Sequence, residues 1–441
     1  MQHAVDKYGA DDPAVDGLDM TKEMKSATFL GKFMGADKPT RDLAASTAKQ
    51  AMGRATRAPG SIPMIKFVVT LVLGLFASVA LVSGSSAQAV CKYSDPNRDD
   101  GCARTAAASG AMASAHQFPA LLDRYGGNRP KWNVAGVDYP VGQPVNAVLV
   151  DPAKGPWPAG CKFGGNTLTC DGSNITIKGF DFSLGGRQLM ITGGNGVVVT
   201  GNKFALTATC IDPLLRFNLA ANAKMTVSYN DFEGAGSLCP DLKFGTLING
   251  QPYGDKSTLT LTYNYFHAVP TDISENQGPS AGAAKIIMGY NYVDTQGFTS
   301  HPDGVQFNRG NFDGSVFTFN TYYNPAGSNT VAGTQPFHVE AQLTASISNS
   351  IVAFNTVVAP GTCNGGRDWP KGCSINFAVS CKNDQGNGWV DSNTGFKAYG
   401  NYIDWSGAIR ALSNDYGCPG AMFGKPNPDN IDLKTGKVLL P

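Results

Sequence analysis

The sequence predicts an all-β protein whose C-terminal three quarters wind into a solenoid of stacked parallel strands. Short runs rich in β-branched residues alternate apolar and polar positions with a period of two, as half-buried strands do. The 441 residues include 53 glycines, and turn residues separate the runs at fairly regular intervals. A unit of this length cannot bury its own apolar face, so successive units must stack to share one core.

Eight copies of the repeat each combine a β-rich run with Asn or Gly and then an aromatic or aliphatic residue. They read NITIKGFDF, VVVTGNKF, MTVSYNDF, LTLTYNYF, IIMGYNYV, VFTFNTYY, IVAFNTVV and FKAYGNYI. The recurring asparagines are Asn202, Asn230, Asn264, Asn291, Asn320, Asn355 and Asn401, spaced by 28, 34, 27, 29, 35 and 46 residues. We expect each Asn to take the left-handed backbone of a tight turn, and the amides to stack as a ladder. A β-sandwich also has short strands, but the constant phase of this repeat favours the solenoid.

The segment from Met64 predicts export from the cytoplasm. Lys66 precedes a 16-residue apolar run from Phe67 to Val82, and Ala87-Gln88-Ala89 forms a small-x-small cleavage pattern. We expect residues 64–89 to be a signal peptide and the protein to be secreted or periplasmic, with no membrane contact after cleavage. A signal anchor is the alternative. The polar residues 1–63 are then interpreted as a non-native, disordered upstream extension, with Met64 as the true start.

The ten cysteines agree with export, because all of them follow the predicted cleavage site. Pairing of sequence neighbours predicts the disulfides Cys91–Cys102, Cys161–Cys170, Cys210–Cys239, Cys363–Cys373 and Cys381–Cys418.

The formal net charge of +1 gives no electrostatic reason for binding nucleic acid.

Helical periodicity is confined to residues 102–125. Within an N-terminal cap region, residues 90–139, a helix there is expected to cover the exposed end of the stack. The solenoid domain then spans residues 140–441, including a C-terminal tail.

The series VVVTGNKF, TVSYNDF, TLTYNYF and AFNTVV resembles the right-handed parallel β-helix of the pectate-lyase-like superfamily, over roughly residues 140 to 420. The resemblance implies an extracellular carbohydrate-active or carbohydrate-binding protein. The paired-aspartate, His-Gly and Arg-x-Lys motifs of polygalacturonase-type hydrolases are not found, nor is the basic signature of pectate lyases. The resemblance therefore leaves the reaction open.

A second strand in each coil is expected to line a shared groove for the polysaccharide. The six proposed second strands lie within residues 212–219, 245–251, 271–277, 301–308, 336–343 and 407–414. Because side chains alternate between the two faces of a strand, four apolar residues of these strands are expected to point into the core: Val305, Phe307, Phe337 and Val339. The alternate positions then place Arg216, Gln306 and His338 on one outward strip of the surface. His267, His301 and His338 are separated by 34 and 37 residues, close to one coil each, so they could stack in a line. Arg216, Gln306, Asn308, Arg309 and Tyr322 are the predicted substrate-binding residues.

Two mechanisms fit these residues. The dispersed histidines favour β-elimination, in which a base removes the proton next to a uronate carboxylate. His338 or Lys285 is the predicted base. Arg309, Gln306 or a calcium ion held by Asp303 would neutralise the carboxylate. In hydrolysis, Asp303 and Glu340 form the carboxylate pair. His301 and Asp303 also belong to the phrase His-Pro-Asp-Gly, which is equally consistent with an ordinary turn. A non-catalytic, adhesin-like glycan-binding protein is the alternative to both enzymes.

Overall fold

The computed structural model describes residues 116–441 apart from several loops. The loops outside the described residues are 145–146, 208–211, 235–245, 270–271, 297–302, 326–334, 342–344, 362, 364–372, 374, 384–391, 415–417 and 425–427. The backbone alone is described for residues 295, 296, 338, 340, 341, 376, 382, 383 and 392. The predictions for residues 1–63, for the signal peptide 64–89 and for the pairs Cys91–Cys102 and Cys210–Cys239 lie outside these ranges.

A 3₁₀ helix, Pro119–Asn128, precedes a long series of short strands in the described part of the chain. The first ten are β1 (Cys161–Gly164), β2 (Thr167–Asp171), β3 (Thr176–Lys178), β4 (Gln188–Thr192), β5 (Val197–Thr200), β6 (Lys203–Ala205), β7 (Leu215–Leu219), β8 (Lys224–Ser228), β9 (Asp231–Glu233) and β10 (Ile248–Tyr253). The next ten are β11 (Thr258–Thr262), β12 (Tyr265–Val269), β13 (Ser274–Gln277), β14 (Lys285–Gly289), β15 (Tyr292–Gln296), β16 (Val305–Asp313), β17 (Val316–Thr318), β18 (Thr321–Tyr323), β19 (Phe337–Ala341) and β20 (Ala345–Ser348). The last nine are β21 (Ile351–Ala353), β22 (Thr356–Val358), β23 (Ile375–Asn383), β24 (Ser392–Thr394), β25 (Lys397–Tyr399), β26 (Tyr402–Asp404), β27 (Ala408–Ser413), β28 (Met422–Phe423) and β29 (Ile431–Asp432).

These strands form three stacked sheets, so the predicted parallel solenoid is confirmed. Sheet 1 follows the order β1-β2-β4-β7-β10-β13-β16-β19-β23-β27, with β20 and β24 off this path. Sheet 2 runs β28-β25-β21-β17-β14-β11-β8-β5-β3, and sheet 3 runs β29-β26-β22-β18-β15-β12-β9-β6. Every recorded pairing of named strands is parallel except β1 with β2. All six proposed second strands lie in sheet 1, whereas the repeated phrase supplies sheets 2 and 3.

The predicted asparagine ladder joins consecutive coils at the corner between sheets 2 and 3. Asn264 donates from its backbone N to Asn291 Oδ1 at 2.9 Å, and its Nδ2 donates to the same oxygen at 3.0 Å. The pattern repeats in every step from Asn202 to Asn401 and continues to Asn430, which the sequence reading had not included. All eight side chains are buried. Since a buried amide without partners is costly, this ladder fixes the register of the stack.

The left-handed residue of this corner is the one before each Asn, so the backbone prediction for Asn was wrong. Its φ is positive at Tyr229, Tyr263, Tyr290, Phe319 and Phe354, and glycine takes the position at Gly201 and Gly400. Aromatic residues rarely adopt this backbone. Here the five rings stack on one another along the solenoid, and each Asn is left free to bond its neighbours.

The N-terminal segment packs along the side of the solenoid. Residues 102–115 are outside the described part, and the following 3₁₀ helix covers the outer face of sheet 3 instead of an end of the stack. Phe118 stacks on Tyr292 at 4.6 Å, and Tyr125 Oη donates to Asp404 Oδ2 at 2.6 Å. The expectation of an end cap was wrong for this described portion, because sheet 3 turns aromatic side chains outward and an apolar segment buries them.

Three predicted disulfides are present: Cys161–Cys170, Cys363–Cys373 and Cys381–Cys418. Among the described residues, no helix is both long and apolar enough to cross a membrane.

Candidate active site on sheet 1

The outward face of sheet 1 collects polar side chains into a column that crosses successive coils. Main-chain register aligns Arg216 with Asn249, Asn249 with Glu275, and Glu275 with Gln306. The same register continues through the backbone of Glu340 and Lys382. Neighbouring strands are about 4.8 Å apart, so an extended polymer lying along this column would meet one side chain per coil.

Glu275 lies at the centre of this column and is held between two amides. Asn249 Nδ2 donates to Glu275 Oε2 at 3.1 Å, and Asn308 Nδ2 donates to Glu275 Oε1. Partial burial raises the pKa of the Glu275 carboxyl, and the two amide donors oppose that rise. Asn308 Oδ1 is buried and makes no hydrogen bond among the described residues. The carboxylate is therefore oriented by two amide donors.

Asp212 is a second carboxyl group near this face, at the corner that precedes sheet 1, where Asp272 and Asp303 lie in later coils; unlike those two it is only partly buried. It lies just before β7, and its Oδ1 accepts the backbone N–H of Thr246 in the next coil at 2.9 Å. The pKa of Asp212 is raised to about 7, chiefly by burial and to a smaller extent by the charge of Glu275, while the hydrogen bond from Thr246 lowers it.

The core directly behind Glu275 contains polar side chains. Ser274 and Asn276 flank Glu275 on β13 and both point inward and are buried. Tyr253 Oη donates to Asn276 Oδ1 at 2.8 Å, while Asn276 Nδ2 donates to Ser274 Oγ at 2.7 Å. A satisfied polar network of this kind restrains the strand that carries Glu275.

The structure brings together part of the predicted groove. Arg216 and Gln306 share the column, and Asn308 contacts Glu275. Arg309 is exposed beside Gln277 in the adjoining register position. The inward positions of Val305, Phe307, Phe337 and Val339 are confirmed, since all four are buried. The backbone of Glu340 lies in the column, and His338 lies two positions before it on the same strand. The side chains of both residues are outside the described part of the structure.

Asp303 does not reach the groove. Its side chain is 1% exposed, its backbone N donates to Asp272 Oδ1 at 2.6 Å, and Gln335 Nε2 donates to its Oδ1 at 3.1 Å. This carboxylate belongs to a corner ladder, so the turn interpretation of His-Pro-Asp-Gly fits it and the roles of hydrolytic carboxylate and calcium ligand do not. Glycine is required at position 304 because a Cβ there would lie 2.0 Å from Pro336 O, and not because of a positive φ. His301 lies outside the described residues.

Three other predicted residues occupy different surfaces or the interior. Lys285 starts β14 in sheet 2, and Tyr322 is 1% exposed and points into the core from sheet 3. His267 lies on β12 in sheet 3, where its Nδ1 is 3.4 Å from Asp294 Oδ2, so the proposed histidine line is wrong. Coil-length spacing alone did not distinguish the three sheets. No group of three or more His, Cys, Asp or Glu residues able to hold a metal ion occurs in the described ranges.

The sequence reading missed both carboxyl groups of the site. Asp212 stands in an Asp-Pro pair that reads as a turn. Glu275 lies in a strand whose inward residues are Ser274 and Asn276, so apolar alternation could not show which side it faces.

Comparison with known proteins adds no relatives: no family model, no curated protein and no solved structure matches this chain.

Proposed function

We propose that the outward face of sheet 1 is the active site of a secreted enzyme that hydrolyses an acidic, uronate-containing polysaccharide. Asp212 is the proton donor and Glu275 the catalytic base. The observation that carries the proposal is a pair of carboxyl groups on nearby coils of sheet 1 in unequal surroundings. One is partly buried with a pKa near neutrality, and the other is held by two amide donors.

Glycoside hydrolysis requires this division of labour. An acid must protonate the departing oxygen while a carboxylate activates water or attacks the sugar. With a pKa of about 7, Asp212 retains its proton at mildly acidic pH. Glu275, which accepts hydrogen bonds from Asn249 and Asn308, is the better stabilised anion of the two.

Exposed cations on the same face favour an acidic chain. Arg216 lies two coils before Glu275 in the column, and Arg309 lies one coil after it. Guanidinium groups bind carboxylates in a two-pronged geometry, so these positions suit uronate units on either side of the cleaved bond.

Export, a right-handed coil and membership of the pectate-lyase-like superfamily are parts of the same proposal. The three disulfides support an oxidising compartment. The stacked parallel sheets and the Asn ladder support the superfamily resemblance.

β-Elimination is the second candidate, because Arg216 and Arg309 could neutralise a uronate carboxylate while a base removes the adjacent proton. His338 remains the predicted base for that reaction. Incubation with polygalacturonate, alginate and glucuronan distinguishes the candidates. Hydrolysis releases reducing ends alone, whereas elimination also gives the ultraviolet absorbance of an unsaturated product.

Neither product from any polymer, together with retained binding of one of them, would reject both enzymes in favour of the non-catalytic glycan-binding protein. A matched control is Asp303→Asn, which alters a buried corner carboxyl away from the groove. Glu275→Gln should remove hydrolysis, and Asp303→Asn should retain it.

A further inference from the structure

Strand β16 carries one extra residue opposite the strand of Glu275. Between Asn276 and Gln277 of β13, the aligned positions in β16 advance by two residues, so Asn308 has no register partner of its own. The Asn308 side chain instead contacts Glu275, where its Nδ2 donates to Oε1. An insertion of this kind is a β-bulge, which redirects a side chain and is common beside active sites.

A second irregularity, in β10, turns Tyr253 into the core. Ile248 and Gly250 point inward, so strict alternation would turn Tyr253 outward. The register with β7 shifts between Gly250 and Tyr253, and Tyr253 is only 2% exposed. Its ring occupies the space beside residue 250, since a Cβ added to Gly250 would lie 2.7 Å from Tyr253 Cε2. The tyrosine hydroxyl thereby reaches the strand that carries Glu275.

The buried hydrogen bonds join the same three strands that hold the Glu275 carboxylate on the outward face. Tyr253 Oη of β10 donates to Asn276 Oδ1 of β13 at 2.8 Å. Asn276 Nδ2 donates to Ser274 Oγ in its own strand at 2.7 Å and to Gln306 O of β16 at 3.2 Å. On the outward face, β10, β13 and β16 supply the carboxylate and its two amide donors: Asn249, Glu275 and Asn308.

We infer that Tyr253 and Asn276 are positioning residues for Glu275, which lock the three strands in the register at which two amides hold its carboxylate. The inference rests on the proposed function in taking Glu275 as the catalytic base. Hydrogen bonds on the two faces of these strands depend on the same strand positions, so loss of the inner set loosens the outer amides. Both positioning side chains lie in the core and act on the groove only through the strands.

This arrangement predicts how the titration of Glu275 responds. Burial raises the pKa of Glu275, and the hydrogen bonds from Asn249 and Asn308 lower it. When the amides lose their geometry, the pKa should rise, and the acidic limb of activity should move to higher pH because the base must be ionised. Burial raises the pKa of Tyr253 well above its usual value, so its hydroxyl keeps its proton throughout this range.

The charged groups around Glu275 stay the same in every variant of the test. Those of the described strands and the corner near it, with one residue placed by its backbone alone, are Asp212, Arg216, Asp272, Asp303, Arg309 and Glu340. A moved titration therefore reports the hydrogen bonds of Glu275 itself.

Tyr253→Phe removes the hydroxyl and keeps the ring, which packs edge-on against Phe217 and Phe312 with centroids 5.5 Å away in both pairs. Ser274→Ala removes one acceptor of the Asn276 amide with a smaller change to the core. Should Tyr253→Phe fail to fold, Ser274→Ala decides the result.

Tyr125→Phe is the matched control. Tyr125 is also buried, and its Oη also donates to a side chain, Asp404 Oδ2 at 2.6 Å, but it lies against the outer face of sheet 3. The control loses a buried hydrogen bond of the same kind without touching the strands of the groove.

Two properties are measured in the full-length protein with disulfides intact. The first is kcat and KM, as a function of pH, on the polymer that the parent cleaves. The second is the titration of the Glu275 carboxyl by NMR of protein labelled with carbon-13 at glutamate side chains. The chain has four glutamates, so the Glu275 signal is identified by its loss in Glu275→Gln.

We expect Tyr253→Phe and Ser274→Ala to lower kcat about three- to thirtyfold, with KM changed less than about twofold. In both variants the Glu275 titration and the acidic limb of kcat should move to higher pH. Tyr125→Phe should leave kcat, the limb and the titration as in the parent. A general loss of stability moves neither the limb nor the titration.

Parental kcat and parental titration in the folded variants would overturn the inference, and so would equal changes in Tyr125→Phe. A lowered kcat with an unmoved titration would also overturn it, because the loss would then be structural. A moved titration with unchanged kcat would reject Glu275 as the base, and with it the proposed function, while the positioning role would stand. The NMR titration gives the same decision if the parent cleaves none of the polymers.

Discussion

Replacement of Asp212 by Asn should stabilise the protein while it removes activity, and the stabilisation should grow with pH. Burial raises the pKa of Asp212 from 3.8 to about 7. Between these values the folded state holds a proton that the unfolded state has released. Stability due to this group is therefore present at low pH and is lost as pH rises from about 4 to about 7. Asparagine carries no charge at any pH and can keep the acceptor for the Thr246 N–H.

The magnitude follows from the same shift. Each pKa unit corresponds to about 1.4 kcal/mol, so the raised pKa of Asp212 destabilises the folded state relative to the unfolded chain by roughly 1.5 kcal/mol at pH 5 and about 4 kcal/mol at pH 8. Partial exposure of the side chain reduces both values. We expect the stabilisation by Asp212→Asn to be about 1–3 kcal/mol larger at pH 8 than at pH 5.

Urea unfolding of both proteins at pH 5 and pH 8, with disulfides intact, measures this difference. Asp303→Asn is the control for a buried carboxyl outside the groove. An Asp212→Asn effect that is equal at the two pH values, or larger at pH 5, would refute the assignment of a near-neutral pKa. The assignment of Asp212 as proton donor would then fail with it. For the parent enzyme, activity should fall as pH rises through about 7, where Asp212 loses its proton.

The remaining predictions concern the base, the cations and the ladder. Glu275→Gln should lower kcat by about 100-fold or more, since the amide keeps the size but not the basicity of the carboxylate; wild-type turnover would contradict the role. Arg309→Ala should raise KM for a uronate polymer about three- to tenfold and weaken its salt dependence, and an unchanged KM would argue against cation recognition. Asn291→Ala should cost about 2–5 kcal/mol in urea unfolding, because it leaves its hydrogen-bond partners in two adjacent coils unsatisfied; a cost below about 1 kcal/mol would deny the ladder its structural role.

The repeat, the sheets and three disulfides were predictable because each depends on local pattern. Strand alternation and the returning Asn reveal the coil length, and cysteines close in sequence can pair within or between adjacent coils. The left-handed aromatic residue before each Asn was not predictable. Aromatic residues rarely adopt a positive φ, so the local sequence predicts a different backbone there. In this protein, stacking of the rings between coils outweighs that local backbone preference.

The candidate site was predictable only where apolar neighbours fixed the direction of a strand. Phe307 and Val305 placed Gln306 outward correctly, whereas the polar interior around Ser274 and Asn276 concealed Glu275. Tyr322 and Asp303 were misplaced because aromatic and acidic residues are common on surfaces, and here they serve the core and a corner.

By itself, the sequence determined that the chain forms coils and stacks them, since each unit must bury an apolar face that it cannot cover alone. It also determined which corners carry the Asn ladder. Only the tertiary structure decided which carboxyl groups lie near sheet 1. Asp212 and Glu275 are 63 residues apart in sequence, and their electrostatic interaction depends on inter-strand register and on burial, neither of which is encoded in any short stretch of residues.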